Sequence, residues 1–326
     1  MLWTLVQLVL ALLMLGKAAE WFARGAAQVA ALTGLSRLLL GAVFIGCITN
    51  LPELLIAVKA AWRGHPSIAV GNAVGSNIFN TGMILGCCLI QTRSVGQTAW
   101  LRDQGLPMLL SGLALYALVM FADVTRPVAM VLILLLLSYL VISLSANGRT
   151  RGRSRAEPSG STEPRGWADP DVRRRWAVAG VLFVISLPLL FLSSSWALTS
   201  DIALARAWQV SEIVIALTLV AAGTSLPEIA TALVATRKGH LDTALGIVLG
   251  SNVYNALGTI GAGGLVAPLT VSAANRLWDL PVMLLVFSVP LLPLLRGRFP
   301  GPRTGWVLVT IYGVYTYSLF TLYEIF

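Results

Sequence analysis

The sequence predicts an all-α polytopic membrane protein, with ten transmembrane helices that form two inverted-topology five-helix repeats and are broken at the membrane midplane. Composition is the first observation behind this prediction. The 326 residues are 57% hydrophobic and 11% charged, and the mean hydropathy is +0.81, whereas soluble domains carry about a quarter charged residues. Apolar runs near the ~20 residues that cross a bilayer recur along the chain, and both halves share one polar motif.

The ten expected spans fall into two sets of five. Residues 1–146 form the first five-helix repeat, residues 175–326 form the second, and residues 147–174 form an arginine-rich loop between them. We interpret this loop as cytoplasmic, because basic loops favour the cytoplasmic side. Both termini are then expected outside. The spans lie near residues 2–28, 36–62, 67–92, 104–121, 127–146, 175–207, 210–236, 243–268, 277–296 and 304–324.

The formal net charge of +9 does not indicate a nucleic-acid partner. The basic residues cluster in the 147–174 loop among Pro, Ser and Gly, without aromatic residues spaced for base stacking. We expect this loop to contact the lipid bilayer. The sequence shows no Walker pattern, no Cys and His cluster and no Ser-His-Asp arrangement, so we expect neither an enzyme nor a cofactor.

A second copy of one segment appears when the sequence is shifted by 175 positions. Residues 41–86 contain TNLPELLIAV, RGH and VGNAVGSNIFN, and residues 216–261 contain TSLPEIATAL, KGH and LGIVLGSNVYN. Without gaps, 15 of 46 aligned positions are identical, and the polar positions are among them. Because five spans separate the copies, the second copy is expected to be inverted through the membrane plane.

Each copy combines a helix-breaking proline with a carboxylate inside an apolar run. Pro52 and Pro227 remove a backbone donor and release carbonyl groups from helical hydrogen bonding. Glu53 and Glu228 add negative charge, which is costly to bury in a membrane. Carbonyl, hydroxyl and carboxylate oxygens together are the ligands of hard cations such as Ca²⁺ and Na⁺. The two copies therefore predict two halves of one cation site.

A second motif, GSNxxN, follows in each copy, and its serine lies 23 residues after the glutamate. Ser76 and Asn80 share one helical face, as do Ser251 and Asn255, because residues four apart are neighbours on a helix. These side chains offer neutral oxygen ligands. The glycine before each serine fits close helix packing as well as a functional role.

These motifs resemble the α-repeats of the Ca²⁺/cation antiporter superfamily, and the chain is most similar to prokaryotic Na⁺/Ca²⁺ exchanger-like proteins. The likeness covers the ten-helix plan and is specific to individual residues only in the two repeats. It implies alternating access, with Ca²⁺ exchanged for Na⁺ at one central site. It also implies a protein of the prokaryotic plasma (inner) membrane, which we expect to function as a monomer.

The resemblance also implies a set of ligands. Ca²⁺ would be held by Glu53 and Glu228 and by the backbone carbonyls of Thr49 and Thr224. One flanking Na⁺ site would use Ala221, Thr224, Ser225, Glu228 and Ser251. The opposite flanking site would use Gly46, Thr49, Asn50, Glu53 and Ser76, and Asn80 and Asn255 would line the middle.

Four positions depart from the family pattern. Ile48 and Asn50 replace a glycine and a serine in the first repeat, and Ile247 replaces an asparagine that Asn72 keeps in the first repeat. Position 255 is Asn, where some members have an acid. Both glutamates remain for Ca²⁺, and the changes bear on the first-repeat Na⁺ site and hence on the coupling ion. H⁺-coupled cation exchange is the nearest alternative. A cation channel and a non-transporting membrane scaffold are the others.

Some polar residues outside the motifs have simpler expected roles. Glu212 and Asp279 lie near predicted helix ends, where we expect them to cap helices or face water. Lys59 is expected to snorkel outward from the end of the second helix. His65 and its repeat counterpart His240 are interpreted as turn residues.

Overall fold

The computed structural model describes residues 2–32, 50–92, 98–151 and 170–322. In these ranges the regular structure is helical, apart from one isolated β-bridge between Val124 and Leu269. The first half comprises α1 (Leu2–Leu32), α2 (Leu51–Trp62), α3 (Pro66–Phe79), a π-helical turn (Asn80–Leu85), α4 (Gly86–Gln91), α5 (Thr98–Val119) and α6 (Arg126–Arg151).

The second half begins with one long helix and continues with shorter helices and irregular turns. Its elements are α7 (Pro170–Trp208), α8 (Glu212–Ile215), a π-turn (Ala216–Val220), α9 (Ala221–Thr224), α10 (Leu226–Arg237), α11 (Leu241–Val253), a π-turn (Tyr254–Thr259), α12 (Ile260–Val266), a π-turn (Asn275–Asp279), α13 (Leu280–Ser288), a 3-10 helix (Val289–Arg296) and α14 (Pro302–Leu322). Helices α6 and α7 thus continue into the 147–174 segment that the sequence assigns to the loop.

The helices are apolar and long enough for a membrane protein. Five stretches of the described chain qualify as spans, and a sixth qualifies if a bent pair counts as one. The five are Leu2–Phe22, Pro66–Gln91, Arg126–Ser143, Trp176–Trp208 and Asn275–Arg296, and the bent pair joins Glu212–Thr224 to Leu226–Arg237. The chain is therefore an all-helical integral membrane protein.

The two halves contact each other through reciprocal pairs. Asn77 donates to the Sδ atom of Met283 at 3.4 Å, and Asn252 donates to the Sδ atom of Met108 at 3.3 Å. Each residue of one pair lies 175 positions from its equivalent in the other. The Asn of each half thus contacts the equivalent Met of the other half, and such reciprocal contacts are characteristic of a two-fold relation.

Both glutamate-bearing helices begin after a residue whose backbone is not helical. Helices α9 and α10 meet at an angle of 48°, and Ser225 between them has φ −84° and ψ 9°. Asn50, which precedes α2, has nearly the same conformation, with φ −88° and ψ 9°. A proline stands in the first turn of both helices, where its missing N–H costs no intrahelical bond. The helix break that the motif predicts is therefore present in the second repeat, and Asn50 has the matching conformation at the start of α2.

Helix α1 covers the break of the second repeat. A Cβ atom on Gly223 would lie 2.3 Å from the Cδ1 atom of Leu12, and one on Gly16 would lie 3.6 Å from Pro227. The glycine at position 223 therefore allows α1 to approach the backbone just before the bend. Because Pro227 and Gly223 both face α1, that helix closes one side of the region that carries Glu228.

Lys59 and Asp279 are buried, so the expectation that Lys59 snorkels outward is wrong, and so is the expectation that Asp279 faces water if it does not cap a helix. Lys59 is only 5% exposed, and its Nζ atom donates to the Phe191 carbonyl and, at 2.6 Å, to the Ser195 hydroxyl of α7. Asp279 is fully buried and accepts hydrogen bonds from Asn275 at 2.7 Å and from the Tyr315 hydroxyl at 2.8 Å. In both cases a helix distant in sequence supplies the polar partner.

Candidate cation site

Glu53 and Glu228 are both completely buried. The Ser225 hydroxyl donates to Oε1 of Glu53 at 3.4 Å, and the Ser251 hydroxyl donates to Oε1 of Glu228 at 3.4 Å. These bonds are longer than the usual O–H···O distance of about 2.7–2.8 Å, so the hydroxyl groups are not tightly held by the carboxylates. In the described chain neither Oε2 atom has a hydrogen-bond partner. The pair therefore presents oxygen atoms that are available to a cation.

The surroundings of each glutamate come from both repeats. Ser225 belongs to the second repeat and contacts Glu53 of the first. Conversely, Asn50 of the first repeat accepts a hydrogen bond at 2.7 Å from Ser251 of the second, beside Glu228. The resemblance groups these side chains by repeat. In the structure Ser225 and Asn50 contact residues of the other repeat, while Ser251 also contacts Glu228 of its own repeat. Side chains of both halves therefore form one cluster around the two glutamates.

Asn72 links the two helix breaks, and the sequence analysis did not single it out as a site residue. Its Nδ2 atom donates to the Glu53 carbonyl at 3.0 Å, and its Oδ1 atom accepts from the Thr224 hydroxyl at 3.4 Å. The Thr224 hydroxyl also lies 3.2 Å from the Ala221 carbonyl oxygen and 3.5 Å from the Ser76 hydroxyl. Because Ile247 occupies the equivalent position of the second repeat, this link exists in one repeat only.

Asn80 and Asn255 lie within the π-helical turns that follow α3 and α11, and both are fully buried. Oδ1 of Asn255 accepts from the Thr259 hydroxyl at 3.2 Å, while its Nδ2 atom and both amide atoms of Asn80 lack partners in the described part of the chain. An unpaired buried polar atom costs about 1–3 kcal/mol, and π-turns often occur at functional sites. The unpaired amide atoms and the position in π-turns both suit a role of Asn80 and Asn255 in binding a cation.

The charge of the glutamate pair is not balanced by a basic residue. Among the described residues, no lysine or arginine forms an ion pair with either carboxylate, and Lys59 on the helix of Glu53 contacts α7 instead. Two buried carboxylates repel each other, and a divalent cation compensates both charges. The donors are carboxylate, hydroxyl and amide oxygens, a set that suits hard cations such as Ca²⁺ and Na⁺.

Two expected ligands, Gly46 and Thr49, lie outside the described residues, so their roles remain predictions. The glycine before Ser76 is explained by packing. A Cβ atom on Gly75 would lie 2.6 Å from the Leu217 carbonyl oxygen and 2.9 Å from the Cβ atom of Ala221. Gly75 therefore lets α3 approach the broken helix of the second repeat closely enough for Ser76 to reach Thr224.

Comparison with known proteins gives a consistent result. The model of the sodium/calcium exchanger protein family matches residues 3–145 and 178–321. The putative antiporter CaxA of Alkalimonas amylolytica is 30% identical over 93% of this chain and 94% of its own length. The inner membrane protein YrbG of Escherichia coli (strain K12) is 29% identical over 89% of this chain and 88% of its own length.

Solved structures of the sodium-calcium exchanger NCX_Mj share the fold. One of them, soaked with Na⁺ and Sr²⁺, has a TM-score of 0.64 and 25% sequence identity, and the match covers 96% of this chain and 97% of that chain. The family match falls in two parts that flank the segment around the arginine-rich loop. The chain therefore belongs to the sodium/calcium exchanger family, whose members are membrane transporters and not enzymes.

Proposed function

We propose that the chain is a secondary active antiporter that exchanges Ca²⁺ for Na⁺ by alternating access at a central site built on Glu53 and Glu228. The observation that carries this proposal is the arrangement of the two buried carboxylates, each with an oxygen atom that lacks a partner in the described chain, inside a shell contributed by both repeats. The soaking of NCX_Mj crystals with Na⁺ and Sr²⁺ supports the same class of substrate.

We assign the ligands as follows. Glu53 and Glu228 bind Ca²⁺ together with the carbonyls of Thr49 and Thr224, and nearby oxygens complete the six to eight that Ca²⁺ requires, at about 2.3–2.6 Å. Na⁺ binds at the two flanks of this position. The residues assigned to the flanks and the middle are Gly46, Asn50, Ser76, Asn80, Ala221, Ser225, Ser251 and Asn255.

The proposed architecture has ten spans, in which residues 1–146 and 175–326 form inverted repeats. The reciprocal contacts of Asn77 with Met283 and of Asn252 with Met108 support the two-fold relation between them. We place residues 147–174 in the cytoplasm and both termini outside, with the protein acting as a monomer in the prokaryotic inner membrane. The name of the relative YrbG, an inner membrane protein, supports that location.

H⁺-coupled exchange is the second candidate, and one asymmetry favours it. Positions 50 and 225 are equivalent in the two repeats, but only position 225 carries a hydroxyl group. Asn50 instead engages the Ser251 hydroxyl at 2.7 Å, so that hydroxyl is held on the Glu228 side of the pair. If this flank binds Na⁺ poorly, the glutamate pair would carry protons on the return step.

Uptake of ⁴⁵Ca²⁺ by liposomes that contain purified protein tests both candidates. One sample has an outward Na⁺ gradient and the other an outward H⁺ gradient, and Glu228→Gln serves as the inactive variant. We expect this variant to lower Ca²⁺ affinity about 30-fold or more, because loss of one partner of a buried charge costs about 2–5 kcal/mol. Glu20→Gln is the matched control, since Glu20 lies on α1 in an exposed pair with Lys17.

Each outcome has a defined meaning. Uptake driven by Na⁺ and lost in Glu228→Gln supports Na⁺/Ca²⁺ exchange, and uptake driven only by H⁺ selects the second candidate. Flux without counter-transport would identify a channel. If neither gradient drives uptake, the Ca²⁺ proposal is refuted.

A further inference from the structure

Asp201 is a buried carboxylate outside the glutamate cluster, and unlike Asp279 it has no hydrogen-bond donor in the described structure. Asp201 is near the end of α7, is completely buried, and has no hydrogen-bond partner for either carboxylate oxygen within the described ranges. The sequence analysis did not single out this residue, although it interrupts an apolar span. A buried membrane carboxylate without a partner is costly and generally marks a functional position. Asp201 therefore needs an explanation that the exchange site does not supply.

An acidic residue lies on α8, the short helix that packs against α7. This residue is Glu212, the first residue of α8, and its carboxylate carries the same charge as an ionised Asp201. Glu212 itself lies 2.8 Å from Nδ1 of His65, and the two side chains are 26% and 25% exposed. His65 and Glu212 are therefore partly exposed to water, while Asp201, on the helix against which α8 packs, is fully buried.

Basic residues on the adjoining elements have other partners. Lys59 of α2 contacts Ser195, and Arg63, which directly follows α2, contacts Thr199 at 3.2 Å. Arg206 lies five residues after Asp201 on α7, and its side chain is exposed. On α1, which packs along α7, the charged groups that pair with one another are Lys17, Glu20 and Arg24. In the described structure, none of these bases forms an ion pair with Asp201.

The surroundings of Asp201 suit a proton better than a metal ion. A metal such as Ca²⁺ needs six to eight oxygen ligands, and neither carboxylate oxygen of Asp201 contacts another polar group within the described ranges. A proton needs a single carboxylate oxygen and removes the charge that burial penalises. Chains of Asp, Glu and His residues are the usual proton relays of transporters.

We propose that Asp201 is a proton-binding site, separate from the Glu53–Glu228 pair, that exchanges protons with water through Glu212 and His65. When the proton leaves, the negative charge on Asp201 favours an approach of Lys59 or Arg63, which already contact the same helix from the end of α2. Because α2 also carries Glu53, proton release at Asp201 would alter the packing of α7 against the helix that binds the substrate.

Infrared difference spectroscopy tests proton binding without relying on transport. The purified Glu53→Gln/Glu228→Gln variant lacks the infrared signal of the central pair. It is compared with the same variant that also carries Asp201→Asn. We expect a protonated-carboxyl C=O band that shifts in D₂O and is lost with Asp201→Asn. Asp103→Asn, at a position that is 64% exposed, is the control and should leave the band unchanged. An identical band with and without Asp201→Asn would overturn the proposal.

The pH profile of ⁴⁵Ca²⁺ uptake tests the link to transport, and this part rests on the proposed function. We expect Asp201→Asn to retain uptake and to lose one titrating limb of the profile. Glu212→Gln keeps Asp201 but changes the charge on α8, so the limb should remain and its midpoint should differ from that of the wild type. Unchanged profiles in both variants would refute the link. If the wild type takes up no Ca²⁺, the exchange proposal fails, while the infrared result still decides proton binding.

Discussion

Replacing Asn72 by isoleucine tests whether the link between the two helix breaks organises the cation site. The change removes the 3.0 Å bond to the Glu53 carbonyl and the 3.4 Å bond from the Thr224 hydroxyl. A typical hydrogen bond contributes about 0.5–1.5 kcal/mol net, so the two together contribute about 2 kcal/mol. Isoleucine is already present at the equivalent position, Ile247, so a β-branched apolar residue is compatible with this part of the helix.

The expected result is weaker Ca²⁺ binding as well as lower stability. Without the link, Ca²⁺ has to order Glu53 and Thr224 itself, and loss of such a supporting contact typically costs 10–100-fold in metal affinity. From about 2 kcal/mol we expect a Kd about 30-fold higher. Isothermal titration calorimetry of the purified protein with Ca²⁺ measures the affinity, and thermal unfolding without Ca²⁺ measures the stability.

Ser288→Ala is the control for this experiment. Ser288 donates to the Leu284 carbonyl at 2.8 Å on α13, so its loss removes a helical side-chain bond that does not touch the site. We expect this variant to bind Ca²⁺ like the wild type. If Asn72→Ile also binds like the wild type, then Asn72 stabilises the fold without organising the site, and the reasoning is refuted.

Two further changes test packing and ion selectivity. Gly75→Ala would place a Cβ atom 2.6 Å from the Leu217 carbonyl oxygen; we expect a loss of about 1–3 kcal/mol in thermal unfolding, whereas Gly313→Ala, with no atom within 4 Å in the described structure, should change little. Equal effects of the two would contradict the packing argument. Asn50→Ser releases the Ser251 hydroxyl, so Ca²⁺ uptake should depend more steeply on Na⁺; an unchanged Na⁺ dependence would show that position 50 does not set the coupling.

The sequence motifs predict the local features of the site because each feature depends on neighbouring residues. The proline after Ser225 and the proline after Asn50 are sufficient to predict where the helices break, and the structure confirms the break at 48° in the second repeat. The repeat likewise predicts that Glu53 and Glu228 belong to one site. In the structure Ser225 contacts Glu53 and Ser251 contacts Glu228, and a shared cation site stays a prediction.

Features that depend on contacts between distant segments could not be read from the sequence. Lys59 is placed by the carbonyl of Phe191 and the hydroxyl of Ser195, more than 130 positions away. Asp279 is buried because Tyr315, on another helix, supplies a donor. The contact of Ser225 with Glu53 of the other repeat has the same cause. It depends on how the helices of the two halves pack against each other, and the spacing of the motifs does not predict that packing.

The most direct test of the central claim is the position of bound Ca²⁺ in a crystal. Anomalous diffraction at long wavelength from crystals soaked in Ca²⁺ would locate the ion without assuming its ligands. The account predicts one peak about 2.3–2.6 Å from carboxylate oxygens of both Glu53 and Glu228, and loss of that peak in Glu228→Gln. A Ca²⁺ peak that contacts neither glutamate, or one that persists unchanged in the variant, would contradict the account.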